Sequence, residues 1–265
     1  MKKRNNYSMF QVSFFIVFLF TIIFMALIFS GLFFSGLSAS FVTIIQDPEF
    51  QFALSFTLWT TVLATTIATF VSIPTSYVLS RREFKGKALA EALIDIPIVL
   101  PPLVSGIALL TFFGPLFGES LKQMGIEVAF SKWGVVVAQT FIATPFAIRA
   151  FKQAFDGIDT RYEHIARTLG YTPTLVFWKV TLPMAKGGLI NGITMAWART
   201  LGEFGATAML AGVTLMKTET LSVAIFLKMS IGDFDFAIAI SIIMLLVALT
   251  VLYVVKFTMR GERSA

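Results

Sequence analysis

The sequence has no cysteine and only one histidine in 265 residues. The lack of cysteine excludes a disulfide scaffold, a thiolate metal site and a cysteine nucleophile. The HExxH and GxSxG patterns are also missing, so neither a zinc site nor a serine triad can be assembled. We therefore predict no catalytic residue and no metal site, and we interpret the single histidine, His164, as a solvated or interface residue.

Charged residues and phosphate-binding motifs are scarce as well. Charged residues make up 14% of the chain and hydrophobic residues 57%, and the mean hydropathy is +0.83. This composition is typical of a protein that crosses a membrane several times. No GxxxxGK[ST] loop is present, so we expect no cofactor on this chain. If ATP drives the protein, a separate subunit must hydrolyse it.

Long apolar runs predict an all-α fold with six transmembrane helices in one domain that covers residues 1–265. The predicted spans cover about residues 12–34, 52–79, 92–113, 133–151, 187–212 and 236–257. The first run is longer than the apolar region of a typical signal peptide and precedes only a weak cleavage pattern, so we interpret it as a retained span. The segment from Thr220 to Asp235 is too short to span and predicts a short helix or a re-entrant element.

The distribution of basic residues predicts the orientation in the membrane. With a cytoplasmic N-terminus, sixteen Lys and Arg residues fall on the cytoplasmic side and four on the outer side, and Arg199 lies within a span. Such an excess of positive charge is typical of cytoplasmic loops. The net charge of +6 then faces anionic lipid on the inner leaflet, and we expect no nucleic-acid partner.

The third predicted span is interrupted by helix-breaking residues: Pro97, Pro101, Pro102 and Gly106. Backbone groups that such breaks leave free are tolerated at membrane depth only inside protein or beside a water-filled cavity. The pattern indicates a span that borders a pathway, although a kinked structural helix explains any single proline equally well.

The longest polar stretch runs from Asp156 to Pro183, between the fourth and fifth predicted spans. Thr160 and Glu163 form a capping-box pattern, which predicts a helix from about residue 161 to residue 169. Glu163 and Arg167 are four residues apart, so they can pair on one face of that helix. An exposed pair contributes only about 0.3 kcal/mol, so we expect a partner to hold the helix in place.

Gly170 fits the left-handed residue that ends a helix, and Pro173 suits the first turn of a second one. The stretch resembles the coupling loop of ATP-binding-cassette (ABC) importer permeases, at matching positions Ala166, Gly170, Leu182 and Pro183. His164 and Ile165 depart from the Glu and Ala of that family. The resemblance implies that an ATPase subunit binds Tyr162, Glu163, His164, Ile165, Ala166, Arg167, Thr168, Leu169 and Gly170. An ordinary amphipathic connector is the alternative.

Two charged residues lie inside the fifth predicted span. Arg199 and Glu203 are four residues apart and share a helical face. An unpaired charge at membrane depth costs about 3 kcal/mol or more, so we expect both to face protein or water and to pair. The pair is either a structural salt bridge or part of a pathway near a gate. The gate hypothesis assigns six residues to the pathway: Arg199, Thr200, Gly202, Glu203, Pro101 and Pro102.

The run from Arg199 to Thr207 resembles the fifth-span signature of permeases for tetrahedral oxyanions, and the likeness is closest to molybdate permeases. It implies a type I ABC importer permease for molybdate or tungstate, with sulfate or thiosulfate as the alternative. The implied partners are two ATPase subunits that use ATP and Mg, an extracytoplasmic oxyanion-binding protein, a second permease copy and membrane lipid. The implied location is the cytoplasmic (inner) membrane of a prokaryote, with both termini cytoplasmic.

A proton- or sodium-coupled transporter is a competing class. Glu203, Arg199 and Asp95 are the only ionisable residues that we expect near membrane depth, and one Glu–Arg pair is a thin proton relay. Inverted broken-helix repeats, which many such transporters contain, are not detectable in the sequence. Loss of uptake with a protonophore at constant ATP would favour this class.

Overall fold

The structure is a computed structural model that describes residues 9–36 and 41–262. The described residues form helices joined by short connections, and no strand occurs among them. The thirteen α-helices are α1 (Met9–Ser35), α2 (Phe41–Gln46), α3 (Pro48–Arg81), α4 (Lys87–Val99), α5 (Pro102–Thr111), α6 (Gly118–Gln123), α7 (Lys132–Asp156), α8 (Arg161–Thr168), α9 (Pro173–Val176), α10 (Leu182–Leu201), α11 (Gly205–Ala211), α12 (Leu221–Ser230) and α13 (Phe234–Glu262). Single π-helical turns, Phe112–Leu116 and Phe177–Thr181, follow α5 and α9. The all-α prediction is confirmed.

Three helices, α3, α7 and α10, form the centre of the fold. Small residues let them approach closely, because they leave room for the neighbouring backbone. A Cβ atom on Gly188 of α10 would lie 2.4 Å from the Cβ atom of Ala154 in α7, and one on Gly192 would lie 2.7 Å from the ring of Phe151. Phe151 and Phe155 are fully buried beside these glycines. The result is a tight helical core rather than a loose bundle.

The third predicted span is a pair of helices rather than one. Helices α4 and α5 meet at Leu100 and Pro101 with a bend of 112°. Proline lacks a backbone N–H and disfavours helical geometry in the residue before it, and Leu100 is indeed extended. Pro97 lies inside α4, so it does not break the helix. The predicted interruption is therefore confirmed at one position only.

The fifth predicted span, residues 187–212, is also divided. Helix α10 ends at Leu201, residues 202–204 are not helical, and α11 begins at Gly205. The structure therefore has a break inside this predicted span that the sequence analysis does not indicate. Gly202 and Gly205 bracket the break, and glycine weakens a helix because it loses more backbone entropy than any other residue.

Four helices among the described residues are long and apolar enough to cross a membrane, namely α1, α3, α7 and α13, and the bent pair α4–α5 makes up to five. Helix α10 with α11 is not among them, so the count of six spans stays a prediction. No residue of α1 is buried, and α1 packs against α13. Lys2, Lys3, Arg4 and Arg263, which enter the topology prediction, lie outside the described residues.

The predicted short element between Thr220 and Asp235 is helix α12. Thr220 caps its start by accepting a hydrogen bond from the Val223 amide at 3.4 Å. The Leu221 amide donates to the hydroxyl of Thr57 in α3 at 2.8 Å, so α12 is fixed to the centre of the fold. The helix interpretation is confirmed.

Candidate functional site: the polar loop and two helix breaks

The polar loop, residues 157–181, contains the predicted helix as α8, Arg161–Thr168. Gly170 ends it with a φ of +88°, the left-handed geometry that the sequence predicts. The Tyr171 amide donates to the Ala166 carbonyl at 3.1 Å and the Gly170 amide to the Arg167 carbonyl at 3.0 Å. These bonds satisfy carbonyls that the helix end leaves free.

The start of α8 differs from the predicted capping box. The Thr160 side chain makes no capping hydrogen bond. Instead, Asp159 Oδ1 accepts a hydrogen bond from the Arg161 amide at 2.9 Å. The capping-box prediction is wrong because the Glu163 side chain has partners elsewhere in the fold.

Glu163 is buried, with only 5% of its surface exposed. Its Oε1 atom accepts hydrogen bonds from Arg81 Nε at 2.8 Å and from the Thr181 hydroxyl at 3.1 Å. The Tyr77 hydroxyl lies 3.5 Å from the other carboxylate oxygen. The predicted pair between Glu163 and Arg167 is therefore wrong. Glu163 instead ties α8 to the end of α3 and to the turn that precedes α10.

The opposite face of α8 is exposed and partly apolar. Ile165 is 58% exposed, Leu169 75% and Tyr162 53%. Ala166 and Glu163 are the buried residues of the helix, so one side rests on the protein and the other is uncovered. His164, Arg167 and Thr168 add polar groups to the uncovered side. Clustered apolar side chains on a polar loop are typical of a docking surface.

The two helix breaks lie against each other. A Cβ atom on Gly205, the first residue of α11, would lie 2.9 Å from the Cβ atom of Pro102, the first residue of α5. One turn further, a Cβ atom on Gly106 would lie 2.8 Å from the Cα atom of Ala206. Such close contacts require glycine at positions 106 and 205, because any other residue would place a Cβ atom there. The break that the sequence indicates after α4 and the break that it does not indicate after α10 therefore form one junction.

Glu203 occupies the break between α10 and α11 and is almost fully buried. Its Oε1 atom accepts a hydrogen bond from the Ala206 amide at 2.8 Å, and its Oε2 atom lies 2.9 Å from Arg199 Nη1. The predicted Arg199–Glu203 pair is confirmed. The Arg199 guanidinium also lies 5.7 Å from the ring centre of Phe146. One carboxylate thus neutralises the arginine and caps the helix beyond the break.

The remaining gate candidates differ in their environment. Thr200 is fully buried, and its hydroxyl lies 3.4 Å from that of Thr65 in α3. Its carbonyl accepts a hydrogen bond from Gln139 Nε2 in α7 at 3.5 Å. Pro101 and Gly202 are exposed. The six candidates therefore share the region of the breaks but do not form one cluster of contacts.

Sequence reasoning missed Arg81, Thr65 and Gln139. The sequence places Arg81 only among the sixteen basic residues of the cytoplasmic side, and its partner Glu163 lies 82 residues further along the chain. Nothing in a single sequence signals such pairings. Within the described ranges, no group of three or more His, Asp or Glu side chains could hold a metal ion.

Comparison with known proteins agrees with this architecture. The family model for the binding-protein-dependent transport system inner membrane component matches residues 72–260. The molybdenum transport system permease protein ModB of Mycobacterium tuberculosis is 39% identical over 210 residues, which cover 78% of this chain and 79% of that protein. The molybdate/tungstate transport system permease protein WtpB of Pyrococcus abyssi is 37% identical over 64% of each chain. The sulfate transport system permease protein CysT of Escherichia coli is 32% identical over 81% of this chain and 78% of that protein.

Solved structures share the fold at low identity. A chain of a bacterial alginate ABC transporter in complex with its periplasmic protein has a TM-score of 0.77 at 17% identity and covers 95% of this chain and 93% of that one. A chain of the MetNI methionine ABC transporter in an inward-facing conformation has a TM-score of 0.65 at 18% identity and covers 82% and 98%. The fold is that of an ABC importer permease. Given the family match and the relatives above, the chain belongs to the binding-protein-dependent transport system inner membrane components.

Proposed function

We propose that this chain is the permease subunit of an ATP-driven importer of a tetrahedral oxyanion, with molybdate or tungstate as its substrate. The observation that carries the proposal is α8, whose inner face is fixed to the protein while its outer face is open and apolar. A surface of this kind is suited to an ATPase subunit that drives transport without belonging to the chain. The substrate class rests on relatives whose names specify molybdenum, molybdate or tungstate.

The proposed coupling element consists of residues 162–170. An ATPase bound to Ile165 and Leu169 would move α8 as it changes conformation. The movement would reach the rest of the protein, because Glu163 and Ala166 are buried against it. The Glu163–Arg81 contact would pass that movement to α3, and the Glu163–Thr181 contact would pass it to α10. ATP and Mg belong to the ATPase in this account.

The proposed pathway passes the junction between α5 and α11. Ser105 and Thr207 are buried in these two helices, and among the described residues their hydroxyls have no hydrogen-bonding partner. Buried hydroxyls without protein partners favour water or a passing anion nearby. In this structure the Arg199 charge is neutralised by Glu203 and is not available to an anion, which supports a gate rather than a permanent anion site.

The proposed assembly contains two copies of this chain, two ATPase subunits, membrane lipid and an extracytoplasmic binding protein. Helix α1 supports the second copy, because it is apolar along its whole length and none of its residues is buried within one chain. The excess of basic residues around the polar loop supports placing that loop and both termini in the cytoplasm. Two copies would present two α8 helices, one for each ATPase.

Sulfate is the second candidate substrate, because sulfate permeases are also related to the chain over most of its length. The test of the ATP-driven mechanism is uptake of labelled molybdate by proteoliposomes that contain the permease and its ATPase, with the binding protein added outside. We expect uptake only with ATP inside and binding protein outside. Uptake that a protonophore abolishes at constant ATP would contradict the proposal and favour an ion-coupled transporter.

A further inference from the structure

A groove of about 440 Å³ opens between the end of α3 and the polar loop. Its walls include Arg81, the last residue of α3, and Arg82, which follows it. They also include His164 and Arg167 from α8. The groove is therefore lined by basic groups from two segments that are distant in sequence. It borders the docking surface of α8 but is separate from the apolar side chains that make up that surface.

The charge in this groove is unbalanced. Arg81 is neutralised by Glu163, whose carboxylate is 2.8 Å away. Arg82 and Arg167 are exposed, and neither has a carboxylate partner in the part of the chain that the structure describes. Glu163 is the only acidic residue among those that line the groove, and its charge is neutralised by Arg81. Two guanidinium groups thus face the opening without a counter-charge.

The chemistry of guanidinium selects the class of ligand. Its planar set of N–H donors matches carboxylates and phosphates, which it binds with paired hydrogen bonds. Ile165 lies exposed on the same helix as Arg167, and Leu169, the residue that follows this helix, is exposed as well. In the proposed function the surface that covers these apolar side chains is the ATPase, and an anion beside them on a protein surface is an acidic side chain.

We propose that this groove binds an aspartate or glutamate side chain of the ATPase subunit, held by Arg82 and Arg167. The inference rests on the proposed function, in which α8 docks on an ATPase. It adds the sign of the charge contact: the permease supplies the cations, and its own carboxylate, Glu163, is an internal brace that does not reach the partner. His164 lies at the same opening and extends the basic rim.

The test measures the affinity of the purified ATPase for the permease in nanodiscs of neutral phosphatidylcholine, at about 50 mM and about 300 mM NaCl. A second set of nanodiscs also contains anionic phosphatidylglycerol. The variants are the double charge reversal Arg82→Glu/Arg167→Glu and the conservative Arg82→Lys/Arg167→Lys. Arg161→Glu is the matched control, because Arg161 lies on α8 with its side chain 87% exposed but does not line the groove. Circular dichroism and gel filtration check that each variant is folded.

We expect the double reversal to weaken binding at low salt by about tenfold or more and to reduce its salt dependence. The lysine variant keeps the charge but loses the paired hydrogen bonds of guanidinium, so its affinity should lie between those of wild type and the double reversal, and Arg161→Glu should behave as wild type. Equal affinity and equal salt dependence for wild type and the double reversal would overturn the inference. A loss that occurs only when the nanodiscs contain phosphatidylglycerol would also overturn it, because the ligand would then be a lipid phosphate. If the wild-type permease fails to bind the ATPase at all, the proposed function itself fails.

Discussion

Arg81 and Glu163 form a buried ion pair, 2.8 Å between Nε and Oε1, that joins the last residue of α3 to the first turn of α8. Both side chains are at least nine-tenths buried. The pair therefore makes the docking helix part of the same rigid unit as α3. Arg81 also donates to the Ile158 carbonyl at 3.3 Å, so it braces the chain on both sides of the α8 start.

Replacement of either partner alone should loosen α8. Arg81→Gln leaves the Glu163 carboxylate buried without its counter-charge, and breaking a buried pair in this way costs about 3 to 5 kcal/mol. We expect both single variants, Arg81→Gln and Glu163→Gln, to have a lower thermal midpoint than wild type and less molybdate transported per ATP. The double variant should recover part of the thermal stability. Additive losses in the double variant would show that the two residues act independently.

Gly170 should be sensitive to any residue that avoids left-handed geometry. A Cβ atom there would meet nothing within 4 Å, so the cost comes from the backbone φ of +88° and not from a clash. We expect Gly170→Ala and Gly170→Arg to destabilise the end of α8 by about 1 to 2 kcal/mol and to reduce coupling of ATP hydrolysis to uptake. Gly170→Asn should be milder, because asparagine tolerates this geometry.

Gly157→Ala is the control for Gly170, since a Cβ atom on Gly157 would make only ordinary contacts, 3.5 Å from the Gln153 carbonyl oxygen, and its φ is −70°. It should leave uptake and thermal stability close to wild type. A Gly170→Arg variant with normal uptake would contradict the assignment of α8 as the coupling element.

Gly205→Ala should disturb the junction between the two helix breaks. Its Cβ atom would lie 2.9 Å from the Cβ atom of Pro102 and 3.1 Å from the Leu103 amide nitrogen, so α5 and α11 would have to separate. Overpacking of this kind costs about 1 to 3 kcal/mol. We expect slower uptake with unchanged ATPase binding. Gly31→Ala in α1, where a Cβ atom meets nothing within 4 Å, is the control, and equal uptake by both variants would argue against the junction.

The Arg199–Glu203 pair can be tested by neutralisation and exchange. Glu203→Gln and Arg199→Gln each leave one charge unpaired at membrane depth, and we expect each to abolish most uptake. The exchange Arg199→Glu/Glu203→Arg should restore part of it. Full recovery is not expected, because Glu203 also accepts the Ala206 amide at the start of α11. Normal uptake by both single variants would make the pair irrelevant to the pathway.

Burial of Glu219 should make the stability of the folded protein depend on pH. Glu219 is fully buried beside Glu49 and Lys228, and burial raises its pKa from 4.5 to about 7, with the Glu49 charge adding to the rise and the hydrogen bond from the Met216 amide opposing it. Since the folded pKa is above the unfolded one, the stabilisation is complete below about pH 4.5 and is lost as the pH rises through about 7.

The thermal midpoint of the wild type should therefore fall between about pH 5 and about pH 8, and that of Glu219→Gln should fall less because the amide stays neutral. Glu127→Gln is the control, because that carboxylate is exposed next to Lys122. The same pH profile for wild type and Glu219→Gln would assign the dependence to other groups.

The long apolar helices could be predicted because each is one uninterrupted apolar run long enough to cross a membrane, as in α1, α3, α7 and α13. The break at Pro101 could be predicted too, since proline acts through local geometry alone. The break after Leu201 could not, because glycine is common in membrane helices that do not break. The bonds that stabilise the irregular backbone come from side chains whose partners a single sequence does not reveal: Glu203 accepts from the Ala206 amide, and the Ser222 hydroxyl donates to the Leu201 carbonyl.

The hydrogen-bonding partner of Glu163 could not be predicted from the sequence either. Local rules offered it two partners within α8, the helix start and Arg167, and both are weak when exposed. Arg81 outcompetes them because the pair is buried, where an ion pair is stronger and is not screened by solvent. Such a choice depends on the packing of α3 against α7, which a single sequence does not reveal.

In the proposed function, this chain passes molybdate or tungstate across the membrane, and ATP hydrolysis by a separate subunit drives the transport. The decisive experiment is ATP-dependent uptake of labelled molybdate by the assembled complex in proteoliposomes, with excess tungstate or sulfate added as competitor. We expect tungstate to block uptake and sulfate to leave it unchanged. Uptake lost to sulfate would reassign the substrate, and no ATP-dependent uptake of any of the three oxyanions would rule out the proposed function.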